Sequence, residues 1–155
     1  MVVVERISGR SYETEILPVT REDYKSITKA RFWFNWREEK EYDVFKIRIK
    51  ETNEILGLIS LKNHKRESRT EIKLIAVSNE NTGKNKKYEH IAGNLITFAC
   101  IRALDFYGNW ASVSLIPKTK LIQHYIEKYH MHPTGKHLFL DIVGIMKLIN
   151  KYNHD

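Results

Sequence analysis

An apolar helical segment in the middle of the chain, entered through a basic loop, constrains the fold more than any other feature. Ile91, Leu95 and Phe98 fall on one side of a predicted helix over residues 88–107, and further apolar side chains cover another side. The loop before it, residues 78–87, is polar and rich in lysine. A helix that is apolar this widely is predicted to be a buried, central helix.

Three strand patterns precede this loop. Residues 44–50 alternate apolar and basic side chains, which is the period of a half-buried strand. Residues 55–61 are apolar on both faces, as in a central strand, and residues 70–77 end in a continuous apolar run. A turn at residues 52–54 joins the first two as a hairpin. The three consecutive strands predict an antiparallel meander.

The basic positions of the first of these patterns are Lys46, Arg48 and Lys50. Since the apolar residues of a half-buried strand face the core, we interpret this stripe as an exposed strand face.

Breakers and caps place the other elements. Thr20 with Asp23 predicts a helix that begins near Arg21, and Gly108 ends the long helix. Pro117 breaks a following strand, and Thr119 is a candidate cap for the next helix. The remaining predicted elements are strands at 12–19, 110–116 and 137–143, and helices at 120–129 and 145–152.

Composition is that of an ordinary globular protein. Hydrophobic residues make up 42% and charged residues 29% of 155 residues, which excludes a disordered chain. The apolar run at 91–104 is too short and too polar to span a bilayer, so we expect no membrane association. Val2 to Val4 are followed at once by Glu5, unlike a signal peptide, so we expect a cytoplasmic protein. The length of 155 residues and the lack of a linker-like segment predict one domain, residues 1–155.

Metal and thiol chemistry have little support. Cys100 is the only cysteine and lies in the apolar helical run, where a thiol is usually packing material. The histidines near the end of the chain show no recognised metal-ligand spacing, so we expect no metal.

The net charge of +7 favours anionic partners. Nucleic acid, an acidic protein surface and a phosphate-rich cofactor all satisfy this condition. Charge alone does not choose among them.

The basic loop and the helix after it form a candidate anion site. Unpaired backbone N–H groups and the helix dipole attract phosphate at a helix N-terminus. The loop supplies Lys84, Lys86 and Lys87, and the helix presents the small residues Ala92 and Gly93, which allow close approach to the backbone. A pyrophosphate fits this arrangement. The alternative is that the lysines are only a solvated loop.

The same segment resembles the GCN5-related N-acetyltransferase (GNAT) family. The phosphate loop of that family has Arg or Gln, two residues, Gly, one residue, then Gly or Ala, and here the frame is filled by Lys87-Tyr88-Glu89-His90-Ile91-Ala92. The strand before the loop, Glu71-Ile72-Lys73-Leu74-Ile75-Ala76-Val77, also resembles the family's strand. The chain departs from the frame at His90, which replaces the first glycine, and at Lys87.

The resemblance implies a fold of α/β (α+β) class, in which a mixed, mostly antiparallel sheet surrounds a central buried helix with flanking helices. It also implies acetyl-CoA as cosubstrate and an unidentified amine as acceptor, with direct attack of the amine on the thioester. The implied cofactor-binding residues are Ile75, Ala76, Val77, Gly83, Lys84, Asn85, Lys86, Lys87, Tyr88, His90, Ile91, Ala92 and Gly93.

Two catalytic candidates also follow from the resemblance. Tyr125 is the implied acid toward the leaving thiolate. His130 stands where the family has a glycine, and Tyr125 lies five residues before it, whereas the usual interval is four residues. Glu71 is the candidate base that makes the amine neutral, and its alternative is an ordinary exposed strand residue. Trp33 and Trp36 lie in the region that lines the family's acceptor groove, although tryptophans are more often core residues.

Two other functions remain open. One is a basic nucleic-acid-binding module that uses the stripe at Lys46 and aromatic residues such as Tyr88. The other is a GNAT-like binding protein without activity, in which His90 blocks the phosphate site. The acceptor is not encoded in any recognised motif, and a homodimer is left open as the assembly.

Overall fold

The computed structural model describes residues 1–32, 36–39, 41–117 and 121–153. Within them the strands are β1 (Val2–Glu5), β2 (Ser11–Pro18), β3 (Asp43–Ile49), β4 (Ile55–His64), β5 (Arg69–Val77), β6 (Tyr88–Glu89), β7 (Ser112–Leu115), β8 (His132–Thr134) and β9 (His137–Leu140). The α-helices are α1 (Lys29–Phe32), α2 (Ile91–Tyr107), α3 (Ile122–Tyr129) and α4 (Ile142–Tyr152).

The strands form a mixed sheet. Neighbouring strands follow the order β6-β1-β2-β3-β4-β5-β7-β9-β8. β1 with β2 and β6, β2 with β3, and β9 with β7 and β8 are antiparallel, whereas β5 and β7 are parallel. Helix α2 lies between those two parallel strands in the chain and is buried along most of its length. The prediction of a mostly antiparallel α/β fold with a central buried helix is confirmed.

By its packing the chain divides into two compact units. The first comprises residues 1–60 and 74–95, and the second comprises residues 61–73 and 96–155. The prediction of one domain over residues 1–155 stays a prediction.

One core cluster of the first unit lies where α1 and the residues around it meet β4 and β5. Its buried members are Ile27, Phe32, Trp36, Ile55, Leu58 and Ala76. Gly57 permits a close approach, since a Cβ atom there would lie 3.0 Å from the Ala76 carbonyl oxygen and 3.0 Å from the side chains of Ile91 and Leu95. The absence of a side chain at Gly57 therefore lets the start of α2 pack directly on β4.

The basic stripe Lys46, Arg48 and Lys50 is only partly the exposed face that its alternation predicts. Lys46 is only 4% exposed, and its Nζ lies 2.6 Å from Asp23 Oδ2. Arg48 pairs with Glu15 of β2 at 2.7 Å, and Lys50 lies 3.7 Å from a Glu13 oxygen. For Lys46 the prediction is wrong, because a carboxylate distant in the sequence faces it, which the alternation within β3 does not report, whereas Lys50 is exposed as predicted.

The segment after Thr20 is not one helix. Thr20 and Asp23 form the predicted capping interaction, in which the Thr20 N–H donates to Asp23 Oδ2 at 2.7 Å. However, the helical segment that they cap is a 3₁₀ turn, Arg21–Lys25, and α1 is a separate short helix. The ion pair of Asp23 with Lys46 fixes this turn against β3, so tertiary contact limits the local helical preference.

In the second unit, β7 is the centre of a three-strand group. It pairs with β5 at Arg69–Ile72 and with β9 at Leu138–Leu140. Helix α4 is capped by Asp141, whose Oδ1 accepts the Gly144 N–H at 2.9 Å. Cys100 is fully buried, and burial raises the pKa of its thiol, which fits its predicted packing role.

Several predicted boundaries shift. Tyr88, expected at the start of the long helix, is buried in β6, and α2 begins at Ile91. Trp110 belongs to a 3₁₀ turn rather than a strand and is 83% exposed. β1 and β8 had no distinct sequence pattern, because each is short. The predicted cap Thr119 lies outside the described residues.

Every helix among the described residues is too short or too polar to cross a membrane.

Candidate functional site

The loop between β5 and α2 is organised by a buried asparagine. Asn81 donates from Nδ2 to Ser78 Oγ, and its Oδ1 accepts the Tyr88 N–H, each at 2.9 Å. The Lys87 N–H also donates to the Glu80 carbonyl oxygen at 3.3 Å. These bonds join both ends of the segment at residues 82–87, so the lysines project from a loop whose base is fixed.

The same loop is fastened to α1. Arg31 donates from Nη2 to Glu80 and to the Ile55 carbonyl oxygen, and Asn79 donates to the Ala30 carbonyl oxygen. Burial alone would raise the pKa of Glu80, but the hydrogen bond and charge of Arg31 outweigh it and lower that pKa. The carboxylate therefore remains charged and holds Arg31 in place.

At the end of the loop, His90 takes a backbone conformation that favours glycine. Its φ is +79°, and its carbonyl oxygen accepts the Asn94 N–H at 3.0 Å in the first turn of α2. The first N–H groups of an α-helix have no partner within the helix. The loop thus leads into a helix terminus that can accept an anion, with Ala92 half-buried and Gly93 buried in its first turn.

A basic cleft of about 590 Å³ opens beside the loop. Four of the predicted cofactor residues, Lys84, Asn85, Lys86 and Lys87, form one side of it. The other side is formed by Glu5, Arg6 and Ile7. Arg6 donates to the Lys84 carbonyl oxygen, and its backbone N–H donates to the Lys87 carbonyl oxygen at 2.9 Å. The structure therefore brings together the lysines predicted from sequence and adds Arg6.

The other predicted cofactor residues do not line this cleft. Gly83 is exposed, with φ +76°, and Tyr88 is buried against Tyr12 with ring centroids 5.7 Å apart. Ile75, Ala76 and Val77 form the end of β5, beyond the last position at which β5 is in register with β7, Ile72 with Leu115.

Tyr125 lies on α3 in the second unit and is half-buried. Its ring centroid is 5.8 Å from those of His124 and Tyr129. Burial raises the pKa of the Tyr125 hydroxyl above its usual value. The phenol therefore keeps its proton at neutral pH and can act as a proton donor.

Glu71 also lies in the second unit, and it is not an ordinary exposed strand residue. It is 6% exposed, and its Oε1 lies 2.8 Å from His64 Nε2. Burial alone would raise the pKa of Glu71, but the hydrogen bond from His64 and the positive charges of Lys73 and Arg69 outweigh it and lower that pKa. The carboxylate is thus held in its charged form.

The two tryptophans differ in what the structure describes. Trp33 lies outside the described residues. Trp36 is 1% exposed, belongs to the core of the first unit, and directs its Nε1 to the Phe32 carbonyl oxygen at 3.5 Å. This is the packing role that tryptophans take most often.

Sequence reasoning missed Arg6, Asn81 and His64. Arg6 and His64 reach their partners only through the pairing of strands, and no local pattern indicates such contacts. Asn81 had a weak local signal, since a polar Ser-Asn-Glu-Asn run after a strand is typical of side chains that bond to a turn backbone.

Within the described residues, no three or more His, Cys, Asp or Glu side chains are grouped to hold a metal ion.

Comparisons with known proteins give a likeness in structure but none in sequence. No protein-family model and no curated protein sequence matches the chain. Among solved structures, the dodecameric spermidine N-acetyltransferase from Vibrio cholerae has a TM-score of 0.63 at 13% identity, over 90% of this chain and 98% of that one. This chain has the GNAT fold.

Two further structures support this assignment. N-acetylglutamate synthase from Neisseria gonorrhoeae, complexed with coenzyme A and L-arginine, has a TM-score of 0.61 at 11% identity, over 83% of this chain and 33% of that one. AtaT complexed with acetyl-methionyl-tRNAfMet has a TM-score of 0.57 at 11% identity, over 88% of this chain and 99% of that one. The resemblance to GNAT proteins inferred from the sequence is confirmed.

Both histidines that replace glycine in the GNAT pattern keep a backbone typical of glycine. His90 has φ +79° and His130 has φ +60°. The His130 N–H closes the end of α3 on the Tyr125 carbonyl oxygen. Both helix boundaries therefore use a left-handed residue that is not glycine.

Proposed function

We propose that this protein is an acyl-CoA-dependent N-acetyltransferase that transfers an acetyl group directly to an amine. The observation that carries the proposal is the loop of the GNAT fold between β5 and α2. Its base is fixed by Asn81, it enters the helix through the positive φ of His90, and it exposes lysines along a basic cleft. These are the donors that a pyrophosphate requires.

The residues present fit coenzyme A. In this proposal the backbone at residues 90–93 and the cations Lys84, Lys86 and Lys87 hold its phosphates, with Arg6 on the opposite side of the cleft. Ile75, Ala76 and Val77 offer strand backbone to the amides of its pantetheine arm, as an added strand does. When bound, coenzyme A supplies the activated thioester.

Tyr125 is the proposed acid in this reaction. The thiolate leaves when the amine nitrogen has attacked the thioester carbon, and it needs a proton. At neutral pH the Tyr125 hydroxyl holds the proton that this step consumes. We propose that the acceptor is an amine, which a panel of candidate amines followed by mass spectrometry would identify.

The nucleic-acid alternative loses part of the surface on which it rested. Lys46 is buried against Asp23, and Arg48 pairs with Glu15 at 2.7 Å, whereas Lys50 is exposed. Trp36 and Tyr88 are buried and unavailable for stacking on bases. The fold and these contacts therefore favour the acetyltransferase over the nucleic-acid module.

Isothermal titration calorimetry with acetyl-CoA tests the proposal. We expect saturable binding that Asn81→Ala weakens at least tenfold, because the Tyr88 N–H and the Ser78 hydroxyl lose their buried partner and the base of the loop loosens. Thr82→Ala is the matched control, since Thr82 is an exposed residue of the same loop whose hydroxyl donates to the Asn79 carbonyl oxygen.

No binding of acetyl-CoA at millimolar concentration would refute the proposal. Acetyl transfer to a panel of polyamines, amino acids and aminoacylated tRNA can be followed by mass spectrometry. If the protein binds acetyl-CoA but acetylates none of them, the result would support the inactive GNAT-like binding protein. Binding to unacylated RNA that weakens steeply with salt would instead favour the nucleic-acid module.

The substitution His90→Gly separates a blocked site from an open one. Because His90 already has a positive φ, glycine fits without backbone strain. We expect the dissociation constant for acetyl-CoA to change less than threefold. An affinity gain of tenfold or more would mean that the imidazole obstructs the phosphate site.

A further inference from the structure

The turn between β1 and β2 continues the pairing of β1 with β6 toward the lysine loop, residues 82–87. Glu5 is in register with Tyr88. The next residue, Arg6, donates its backbone N–H to the Lys87 carbonyl oxygen at 2.9 Å, which extends the same ladder by one position. All of these residues belong to the first unit. Strand pairing therefore fixes Arg6 opposite the end of the lysine loop.

Hydrogen bonds within the turn hold its backbone in place. The Gly9 N–H donates to the Glu5 carbonyl oxygen at 2.9 Å, and Ser8 Oγ donates to the Glu5 carboxylate at 2.5 Å. Gly9 has φ +72°, a conformation that residues with a side chain rarely adopt. The turn thus presents the exposed side chains of Arg6 and Ile7 from a defined backbone.

Cations from the two sides of the cleft meet at one carboxylate oxygen. Arg6 Nε lies 3.5 Å from Glu89 Oε1, and Lys86 Nζ lies 3.7 Å from the same oxygen. Arg6 also donates from Nη1 to the Lys84 carbonyl oxygen. One negative charge between two positive charges leaves a positive surplus, and these three side chains are partly exposed. An anion that enters the cleft therefore meets an arginine on one side and a lysine on the other.

Ile7 gives the same cleft an apolar surface. Its side chain lies at the tip of the turn, is fully exposed, and lines the cleft beside Arg6. Covering such a side chain with a flat aromatic ring removes apolar area from water and is favourable. The cleft volume of about 590 Å³ is in the range of ligand-binding pockets. Cations beside an apolar surface match a nucleotide that carries phosphate.

A pyrophosphate alone does not account for these side chains. In the proposed function, the backbone at residues 90–93 faces the pyrophosphate, whereas Arg6 and Ile7 lie on the other side of the cleft. Beyond its pyrophosphate, coenzyme A carries an adenosine with a 3′-phosphate. A phosphomonoester has a charge of roughly −1.5 to −2 at pH 7, and a guanidinium binds two of its oxygens at once.

We infer that this cleft binds the 3′-phosphoadenosine end of the acyl donor, that Arg6 recognises the 3′-phosphate, and that Ile7 packs against the adenine. The inference rests on the proposed N-acetyltransferase function. It makes thioesters of free coenzyme A the donor class. Thioesters on a phosphopantetheine arm that is attached to a carrier protein lack this nucleotide and its contacts with the cleft.

Calorimetry with a graded set of ligands tests the inference without knowledge of the acceptor. The set is coenzyme A, dephospho-CoA, which lacks only the 3′-phosphate, and 4′-phosphopantetheine, which lacks the nucleotide. At low salt we expect coenzyme A to bind about tenfold or more tightly than dephospho-CoA, because charge-assisted bonds to the 3′-phosphate are lost. The ratio should fall as salt is added, since the cations are partly exposed. Equal affinities at low salt would overturn the inference.

Arg6→Gln separates recognition of the phosphate from support of the loop. We expect it to weaken coenzyme A about tenfold but dephospho-CoA less than about threefold, so the preference disappears. If Arg6 only supports the loop through the Lys84 carbonyl oxygen, both ligands would weaken equally, which would overturn its recognition role. Arg6→Lys keeps the charge and should retain part of the preference.

Arg10→Gln is the matched control for this variant. Arg10 is an exposed arginine of the same turn, and its guanidinium pairs with Glu51 at 3.1 Å. We expect both affinities to stay as in the unmodified protein. A loss of the preference in this variant would show that general positive charge of the turn, and not Arg6, discriminates the ligands.

Ile7→Ser tests the adenine contact. It should weaken coenzyme A and dephospho-CoA by the same factor, about threefold to tenfold, because both carry adenine. The affinity for 4′-phosphopantetheine should not change. An equal loss for all three ligands would indicate a distorted turn, and no loss for any would indicate no contact, so either result overturns the role of Ile7.

The outcomes distinguish the inference from the proposed function. No binding of coenzyme A or acetyl-CoA at millimolar concentration overturns both. Binding and acetyl transfer without discrimination between coenzyme A and dephospho-CoA overturn the inference alone. Thermal melts check the variants, which should fold because the substituted side chains are exposed.

Discussion

Two histidines occupy backbone conformations that glycine adopts without strain. The left-handed region brings Cβ of an L-residue close to the following carbonyl oxygen, at a cost of roughly 1–2 kcal/mol. His90 and His130 both accept this cost at the boundary of a helix. The conformation is retained because a helix must end or begin there, and hydrogen bonds of the neighbouring turns hold it.

Replacement of His130 by glycine should stabilise the protein. We expect the free energy of unfolding to rise by about 1 kcal/mol, because glycine relieves the positive φ without loss of the N–H bond to Tyr125. Urea denaturation measures the change. His130→Ala, which keeps a Cβ atom, is the control and should not stabilise. Equal stability of the two variants would contradict the argument.

At the scale of elements, two contacts in the first unit connect segments that local propensity treats separately. The ion pair of Lys46 with Asp23 fixes the 3₁₀ turn Arg21–Lys25 against β3. Gly57 brings α2 onto β4 through the closeness of Ile91 and Leu95. Both contacts set the orientation of a helical segment relative to a strand, and both can be tested by single substitutions.

The two partners of the Lys46–Asp23 pair should differ in sensitivity. Asp23→Asn should destabilise by about 3 kcal/mol, because it leaves the buried Lys46 ammonium without a counter-charge. Lys46→Met should cost only about 1 kcal/mol, since Asp23 keeps its hydrogen bonds to Thr20 and is more exposed. Denaturant unfolding of both, and of the double variant, measures this.

The double variant is the control for the ion pair. Asp23→Asn combined with Lys46→Met should be more stable than Asp23→Asn alone, because no charge is then buried without a partner. If the two single losses simply add, the pair contributes little.

Addition of one methyl group at Gly57 should destabilise the first unit. In an open strand, Gly→Ala is favourable by about 0.5–1 kcal/mol. Here the new Cβ atom lies 3.0 Å from a backbone oxygen that cannot move cheaply, so Gly57→Ala should cost about 1–2 kcal/mol net. Thermal and urea unfolding measure it. The double variant Gly57→Ala with Leu95→Ala removes the close contact to the Leu95 side chain. Its loss of stability should therefore be smaller than the sum of the two single losses, and purely additive losses would argue against the steric explanation.

For the whole molecule, carboxylates paired with cations make stability depend on acid. For Asp23, Glu71 and Glu80, burial raises the pKa, but hydrogen bonds and neighbouring cations outweigh it, so each is lower than in the unfolded chain. The unfolded chain then binds more protons, so these groups contribute stability above about pH 5 and lose it as the pH falls through their folded values.

The contribution of these three carboxylates to the free energy of unfolding should therefore stay nearly constant from pH 7 to about pH 5 and then fall as they are protonated. Denaturant melts at a series of pH values measure the slope. Glu71→Gln removes one of the three groups and should reduce the acid slope. An unchanged slope in this variant would show that Glu71 does not contribute to the acid dependence.

Much of the architecture could be predicted from the sequence. The strands around Phe45, Leu58 and Ile72, the long helix and its end at Gly108 follow from hydrophobic period and breakers, which act over a few residues. Short elements failed. Tyr88 looked helical but pairs with β1, since the edge of the sheet offered hydrogen bonds that a local pattern does not report.

Of the candidate site, the sequence alone determined the loop, its lysines and the helix that follows, because these are adjacent in the chain. Only the tertiary structure decided that Arg6 faces Lys84, that Lys46 is buried, and that Glu71 is bound to His64. Strand pairing and packing set such contacts between distant residues, and burial then determines which charged groups remain available for chemistry.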